Sequence, residues 1–219
     1  MNIVGVLGFA GSGKDTVGSM LIEAGYEKAS FASTLKDAVS IIFSWDRELL
    51  EGSTKESREW RERPDAYWSR HLGYNVTPRL ILQRFGTEAG RNVLGENIWV
   101  YSLLRSLHRD KKYVITDVRF PNEISMIKSV GGKLIRVKRG PEPEWYDVAL
   151  AQNKGDSDKA LMPLMYPNVH ASEFSWIGTE VDETFNNESS LEELRLQVYS
   201  FVRALETKSW ADAWATVIP

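Results

Sequence analysis

Apolar and polar positions along the chain switch repeatedly between a strand-like and a helix-like period. The unbroken apolar run Ile3-Val4-Gly5-Val6-Leu7 reads as a first strand. Val17, Met20 and Leu21 then recur at helical spacing until Ala24-Gly25 stops them, and Tyr26 to Phe31 suits a short second strand. Leu35, Val39 and Ile42 mark a second helix, with Ser33-Thr34 placed to cap it. From 44 to 77 the regular period is lost. Charges alternate with tryptophans through Lys55 to Arg61 and Tyr67-Trp68, as in an insertion covering a site or a charged surface helix with aromatic anchors. Pro78 opens a further helix through Leu80, Ile81, Leu82 and Phe85, which Gly86 should break, leaving Gly86 to Arg91 as a polar junction.

The second half repeats the alternation. A helix from about Asn97 to His108 points Val100, Leu103, Leu104 and Leu107 inward, and Lys112 to Asp117 reads as a β-rich strand ending in a carboxylate. A helix through Ile124 and Ile127 stops at Gly131-Gly132, and Leu134-Ile135-Arg136-Val137 resumes the sheet. Residues 139–176 are irregular and too long for an ordinary connector, which suggests a lid. A short strand near Phe185 leads to the turn Asn186-Asn187-Glu188-Ser189 and the capping box Ser190-Leu191-Glu192-Glu193. The last clear helix buries Leu194, Val198, Phe201 and Leu205. Strand–helix–strand repetition of this kind predicts an α/β fold: a mostly parallel sheet covered by helices on both faces.

The candidate chemistry lies where the first strand meets the first helix. Gly8-Phe9-Ala10-Gly11-Ser12-Gly13-Lys14 completes a GxxxxGK pattern in the strand–loop–helix context that a phosphate-binding loop requires. Glycines let successive backbone N–H groups converge on one concavity, and the helix that follows adds the positive end of its dipole. Gly11, Ser12, Gly13 and Lys14 therefore form the expected cradle. Asp15 stands where the common form has Ser or Thr, and Thr16 supplies a hydroxyl one place later. Asp15 suits either Mg²⁺ held through water or the favourable charge of a helix N-terminus. Asp117, at the carboxyl end of a strand, is a Walker-B-like candidate for the same ion.

Charge and composition narrow the partners. With 27 Lys and Arg against 30 Asp and Glu the formal net charge is −3, which argues against a general nucleic-acid binder. Cysteine is absent and only three histidines occur, so thiol chemistry and a histidine-rich metal site have no basis. No apolar run approaches membrane-spanning length and no targeting segment is evident, so a soluble, cytoplasmic protein is expected. Trp210 and Trp214, at helical spacing, suit back-packing or a homodimer contact. Lys36, in the first turn of its helix, is either solvated or meets an anion there. His170 suits a substrate contact or a local polar network. Arg58, Arg79, Arg91, Arg119 and Arg139 supply the guanidinium groups needed to bring two phosphates together. No guanine-reading Asn-Lys-x-Asp motif of a GTP switch protein is present.

The chain resembles the deoxynucleoside monophosphate kinases of large bacteriophages, within the P-loop nucleoside and nucleotide kinases. The resemblance rests on Gly8 to Thr16, Phe31-Ala32-x-x-Leu35-Lys36-Asp37, Thr77-Pro78-Arg79, Leu82-Gln83-x-Phe85-Gly86-Thr87-Glu88 and Arg91. It continues through Trp99-Val100, Ile115 to Glu123, and Asn187 before Ser190 to Leu194. It implies a single P-loop kinase domain over 1–219, a three-layer α/β/α sandwich with an acceptor-binding insertion at 44–77 and a lid at 139–176. The implied reaction moves the γ-phosphoryl of ATP, with Mg²⁺, to a deoxynucleoside monophosphate, in the host cytoplasm if the protein is a phage's. Lys14, Arg119, Arg139 and Asp117 are then expected at the reacting phosphates. Asp15, Thr16 and Asp117 are expected at the metal, and Asn187 near the ATP base. Lys36, Arg58, Arg79 and Arg91 are expected at the acceptor phosphate, with Trp60, Trp68 and Phe85 against its base. A P-loop kinase for another small acceptor, such as dephospho-coenzyme A, and a non-catalytic nucleotide-binding protein are the alternatives.

Overall fold

The computed structural model describes residues 2–155 and 161–215, with side chains as far as Thr207. Backbone contacts divide the chain into two compact units, Met1–Ala29 with His108–Pro219, and Ser30–Leu107.

The first unit is built on five parallel strands, β1 (Asn2–Leu7), β2 (Glu27–Ala29), β3 (Lys112–Ile115), β4 (Lys133–Lys138) and β5 (Glu183–Asn186). Their spatial order is β2-β3-β1-β4-β5. β1 is central, with Val4 opposite Val114 on one side and Leu7 opposite Arg136 on the other. Side chains alternate across the sheet, so each buried strand needs apolar residues on both faces. On one face Val4, Val6, Val114, Ile135, Val137 and Phe185 pack with α1 (Lys14–Glu23) and α11 (Leu191–Ala215) through Val17, Leu21, Leu194, Val198 and Phe201. On the other, a Cβ added to Gly5 would lie 2.6 Å from the Ile127 side chain of α7 (Pro121–Ser129). Helix, sheet and helix form the expected sandwich.

Three short helices interrupt the expected lid: α8 (Tyr146–Lys154), α9 (Leu161–Met165) and α10 (Ala171–Phe174), with residues 156–160 of that stretch outside the described set. The side chains of Trp210 and Trp214, read as a packing or dimer contact, also lie outside it.

The second unit is helical. It comprises α2 (Ser33–Phe43), α3 (Lys55–Glu62), α4 (Ala66–Leu72), α5 (Pro78–Arg84), a π-helix over Phe85–Leu94, and α6 (Ile98–Ser106). Leu35, Val39, Trp45, Leu50, Val76, Ile81 and Trp99 form its core. Several element readings are corrected here. The 44–77 stretch, aperiodic to the eye, carries a short 3-10 turn at Leu49–Glu51 as well as α3 and α4. These helices bury so little that no apolar stripe forms: Ser57 is the only buried residue of α3, and α4 has none. Gly86 does not end a helix. The chain runs on into the π-helix, where a Cβ on Gly90 would meet the Trp99 ring at 2.5 Å. Small residues here admit close packing rather than a stop. α2 is capped from Ala32 with no side-chain bond, while the Thr34 hydroxyl accepts from Ser102 at 2.8 Å. The second and third strands stop at Ala29 and Ile115, short of Phe31 and Asp117, and α6 spans Ile98–Ser106 rather than 97–108.

One glycine joins α1 to the sheet. A Cβ on Gly18 would lie 2.6 Å from the Thr116 methyl. Alanine in place of helical glycine ordinarily stabilises by up to about 1 kcal/mol, whereas overpacking costs about 1–3 kcal/mol. Gly18→Ala is therefore expected to lower the urea midpoint. A raised midpoint would show that α1 stands off the sheet.

Candidate functional site

The carboxyl ends of β1, β3 and β4 lead directly into Gly8–Gly13, Thr116-Asp117 and Arg139. That edge of a parallel sheet is where ligands bind, because strand ends and helix N-termini converge there.

The loop after β1 is shaped by its glycines. Gly8, Gly11 and Gly13 all have positive φ, and a Cβ on Gly8 would come within 2.4 Å of the Val137 carbonyl oxygen of β4. A Cβ on Gly13 would come within 2.3 Å of the Asn187 amide nitrogen, so neither position has room for a side chain. Asn187, just past β5, donates its side-chain amide to the Ser12 carbonyl at 2.8 Å, which places it on the loop as a brace. Helix α1 begins at Lys14 with no side-chain hydrogen bond at its N-cap Gly13. Its first N–H groups are thus left to an anion, the usual partner of an uncapped helix start. Ser12 is buried, and its hydroxyl has no hydrogen-bond partner among the described residues.

Lys14 folds back over the loop and donates to the Phe9 carbonyl at 2.7 Å. Burial, and next the Arg119 guanidinium, hold its ammonium down to about 8, against the weaker upward pull of Asp15 and Glu173. Arg119 pairs with Glu173 of α10 at 2.8 Å, and its backbone N–H donates to the buried Glu123 carboxylate at 2.8 Å. Lys14 and Arg119 thus share the mouth of the loop with the carboxylates of Asp15, Glu173 and Glu123. The Phe9 ring lies edge-on to Trp145 at 5.5 Å and tilted to Trp176 at 4.9 Å, so the 139–176 segment packs on the loop itself. Arg139 is exposed and forms no ion pair among the described residues. His170 caps α10, its ring accepting from the Ser172 N–H, which satisfies it locally.

The metal candidates collect at the same edge. The Thr116 hydroxyl donates to Asp15 at 3.4 Å, Asp117 follows it in the chain, and Thr16 is exposed on the first turn of α1. No cluster of three or more His, Cys, Asp or Glu occurs among the described residues.

In the second unit, Lys36 pairs with Glu51 at 2.7 Å, and Arg47 binds the same carboxylate. Burial alone would raise Glu51, but hydrogen bonds from Lys36 and Arg47 outweigh it and hold the carboxyl down to about 2. Arg79 pairs with Glu62 at 2.9 Å. Between these pairs lies Arg61, which the sequence reading passed over. Its Nε is buried without a hydrogen-bond partner, and its guanidinium sits where a Cβ on Gly52 would be, 2.0 Å from the nitrogen. Burial lowers its pKa first, followed by the cations of Arg79 and Arg58. Among the described residues Arg61 has no ion-pair partner; Arg79 and Arg58 stand near it, as do the carboxylates of Glu62 and Glu51. Arg91, on the π-helix, donates to the Glu96 carbonyl at 3.4 Å. Trp60 and Trp68 pack into the aromatic core with Trp45 and Phe43, while Phe85 lines an open cavity of about 490 Å³. Arg61 shows no signal in sequence beyond one more charge in a charged run; only burial distinguishes it.

No family model matches the chain. A protein of Acanthamoeba polyphaga mimivirus, named provisionally a deoxynucleotide monophosphate kinase, is 36% identical to it over 64% of this chain and 75% of that protein. The deoxynucleoside-5'-monophosphate kinase of Escherichia phage T5 is 29% identical over 58% of this chain and 71% of its own length. Shikimate kinase from Aquifex aeolicus superimposes over 95% of this chain and 98% of its own, with 17% identity and a TM-score of 0.43, too loose a fit to inform function. No helix among the described residues is long and apolar enough to cross a membrane.

The depressed Lys14 carries a sign that can be measured. Between pH 8 and 10.5 the unfolded chain holds this proton and the folded chain does not, so Lys14 makes folding more favourable as pH rises through that window. Below it the burial penalty is complete, roughly 3 kcal/mol. The stability advantage of Lys14→Met over wild type should therefore shrink by about 2 kcal/mol between pH 7 and 10. Urea unfolding at both pH values tests this, and an unchanged difference would contradict the burial of Lys14.

Proposed function

Because the chain belongs to the deoxynucleotide monophosphate kinase family, we propose that it transfers the γ-phosphoryl group of ATP to the phosphate of a deoxynucleoside monophosphate. The observation that carries this reading is the uncapped start of α1 behind a glycine-shaped loop, with Lys14 in no ion pair among the described residues. The products are ADP and a deoxynucleoside diphosphate. An oxygen of the acceptor phosphate attacks the γ-phosphorus while the bond to the β,γ-bridging oxygen breaks, and ADP leaves with that electron pair. The attacking group is already an anion, so no base is needed and positioning with charge neutralisation supplies the catalysis.

In this reading the N–H groups of Gly11 to Lys14 and the Lys14 ammonium hold the β- and γ-phosphates. Arg119, beside Lys14, balances charge on the transferring group, with Arg139 as a further cation of the same strand edge. Thr16, with Asp15 or Asp117, would hold Mg²⁺, which supplies neutralisation of the β- and γ-oxygens. Asn187 keeps the loop closed on β5, near the bound nucleotide. In the second unit, Arg61 with Lys36, Arg58 and Arg79 is suited to the acceptor phosphate, because an anion satisfies a guanidinium that the protein leaves unpaired. Arg91 is a further cation for it. Phe85 offers its ring to the acceptor base; Trp60 and Trp68 support that region through the core. The segments 44–77 and 139–176 would then act as acceptor insertion and lid.

Coupled ADP release with ATP, Mg²⁺ and each of dAMP, dGMP, dCMP and dTMP, with dephospho-coenzyme A alongside, tests the reaction. Turnover with at least one deoxynucleotide is expected, and silence on all four would refute it. Lys14→Ala should lower kcat by at least about a hundredfold, the scale of one preorganised electrostatic contact. Arg61→Ala should raise KM for the monophosphate by about tenfold or more while KM for ATP stays near wild type, as expected for losing a charge-assisted hydrogen bond. Unchanged monophosphate KM would remove Arg61 from the acceptor site.

A further inference from the structure

The guanidinium of Arg119 is gripped along one side only. Its Nη1 donates to the Glu173 carboxylate at 2.8 Å and more weakly to the Ser172 carbonyl at 3.5 Å. Nε and Nη2 make no hydrogen bond among the described residues. The Nε–Nη2 side of a guanidinium is a two-donor fork that matches two oxygens of one phosphoryl group. Glu173 therefore fixes one side of Arg119 and leaves that fork open. The Lys14 ammonium responds to the charges of both residues, which places the pair beside the phosphate loop.

Glu173 is carried by a packed segment. Phe174, Trp176 and Ile177, which follow it, are all buried. Asn153 of α8 donates its side-chain amide to the Phe174 and Ile177 carbonyls, at 2.8 and 2.9 Å. Trp176 packs on Phe9 of the loop at 4.9 Å, and the Arg136 guanidinium of β4 lies over its ring, 5.3 Å from the centroid. Arg119 is pinned at its backbone too, since its N–H and that of Phe120 both donate to the buried Glu123 carboxylate, at 2.8 and 3.1 Å. A carboxylate meant to give way to an incoming phosphate would sit on a loosely held stretch of chain. This one does not. Nor does α10 need it as a cap, because His170 fills that place. A partly exposed ion pair adds little to stability, so the geometry of this one matters more than its energy.

We propose that Glu173 is a positioning residue, which orients Arg119 so that its free Nε–Nη2 fork faces the γ-phosphoryl group of a nucleotide held by the loop. The inference rests on the phosphoryl-transfer reading above. Glu173 touches neither nucleotide and acts through Arg119. A long side chain loses rotamer freedom when it settles on one orientation. Glu173 imposes that loss before the ligand arrives, which is preorganisation. Its contribution belongs to ligands with a γ-phosphate, because ADP offers the fork nothing at that position.

Calorimetric titration of ATP and of ADP, each with Mg²⁺, tests this in wild type, Glu173→Ala, Glu173→Gln, Arg119→Ala and the double variant Arg119→Ala/Glu173→Ala. ADP release on dAMP, dGMP, dCMP and dTMP is measured in parallel. Glu173→Ala should weaken ATP about tenfold, the scale of one charge-assisted hydrogen bond, and leave ADP within about twofold. Glu173→Gln keeps an acceptor oxygen on the same stem and should hold ATP within about threefold of wild type. With Arg119 already replaced by Ala, Glu173→Ala should change ATP affinity by less than about twofold, since nothing remains to orient. Equal losses for ATP and ADP would mark a merely structural contact, and tighter ATP binding would mark a competing anion. Either result, unchanged ATP affinity, or a loss that persists without Arg119 would overturn the assignment. The expected binding pattern with no ADP released on any deoxynucleotide would sustain the role of Glu173 and refute transfer to a deoxynucleotide.

Discussion

The close approach of the loop after β1 to the ends of β4 and β5 is the constraint on which the site depends. Gly8 lies against the Val137 carbonyl and Gly13 against the Asn187 amide, both so near that a Cβ would collide. Those contacts exist only because β4 and β5 are held beside β1 by a core that includes Val137 and Phe185. The curled loop aims the start of α1 outward, and the Asn187 bond to Ser12 keeps it there. A change in that core would therefore reach the phosphate site through backbone geometry, without touching a charged residue.

The cations are held in two opposite ways. Lys36 and Arg47 are balanced by Glu51, whose carboxyl they hold down against burial. Lys14 and Arg61 are not balanced, and burial weakens the hold of each on its proton. Desolvation of an unpaired cation costs stability in the free protein, and a bound phosphate removes that cost. Stability sacrificed at such positions is a form of preorganisation: the charge is in place before the ligand arrives.

The phosphate loop and the parallel sheet were legible because their signals are local. A glycine pattern between an apolar run and a helical period, or a buried strand, can be read within ten residues. The helices of 55–62 and 66–72 were not, because they bury too little to leave an apolar stripe, Ser57 excepted. Gly86 was misread as a stop because a helix glycine that admits a neighbour's ring looks the same in sequence as one that ends a helix; Gly90 against Trp99 shows the former use next door. Trp60 and Phe85 could not be separated by type either, since both are aromatic anchors. Tertiary packing set both against one core and turned Phe85 also to the wall of a cavity. Arg61 is distinguished only by what fails to neutralise it, and the absence of a partner is a three-dimensional property.

Phosphorus NMR of the protein with ATP, Mg²⁺ and the four deoxynucleoside monophosphates is the most direct test of the central claim, because it follows where the γ-phosphoryl group goes. The account predicts equal growth of ADP and deoxynucleoside diphosphate signals with no inorganic phosphate. Release of inorganic phosphate with the monophosphates unchanged would show hydrolysis by the loop and contradict transfer to a nucleotide acceptor.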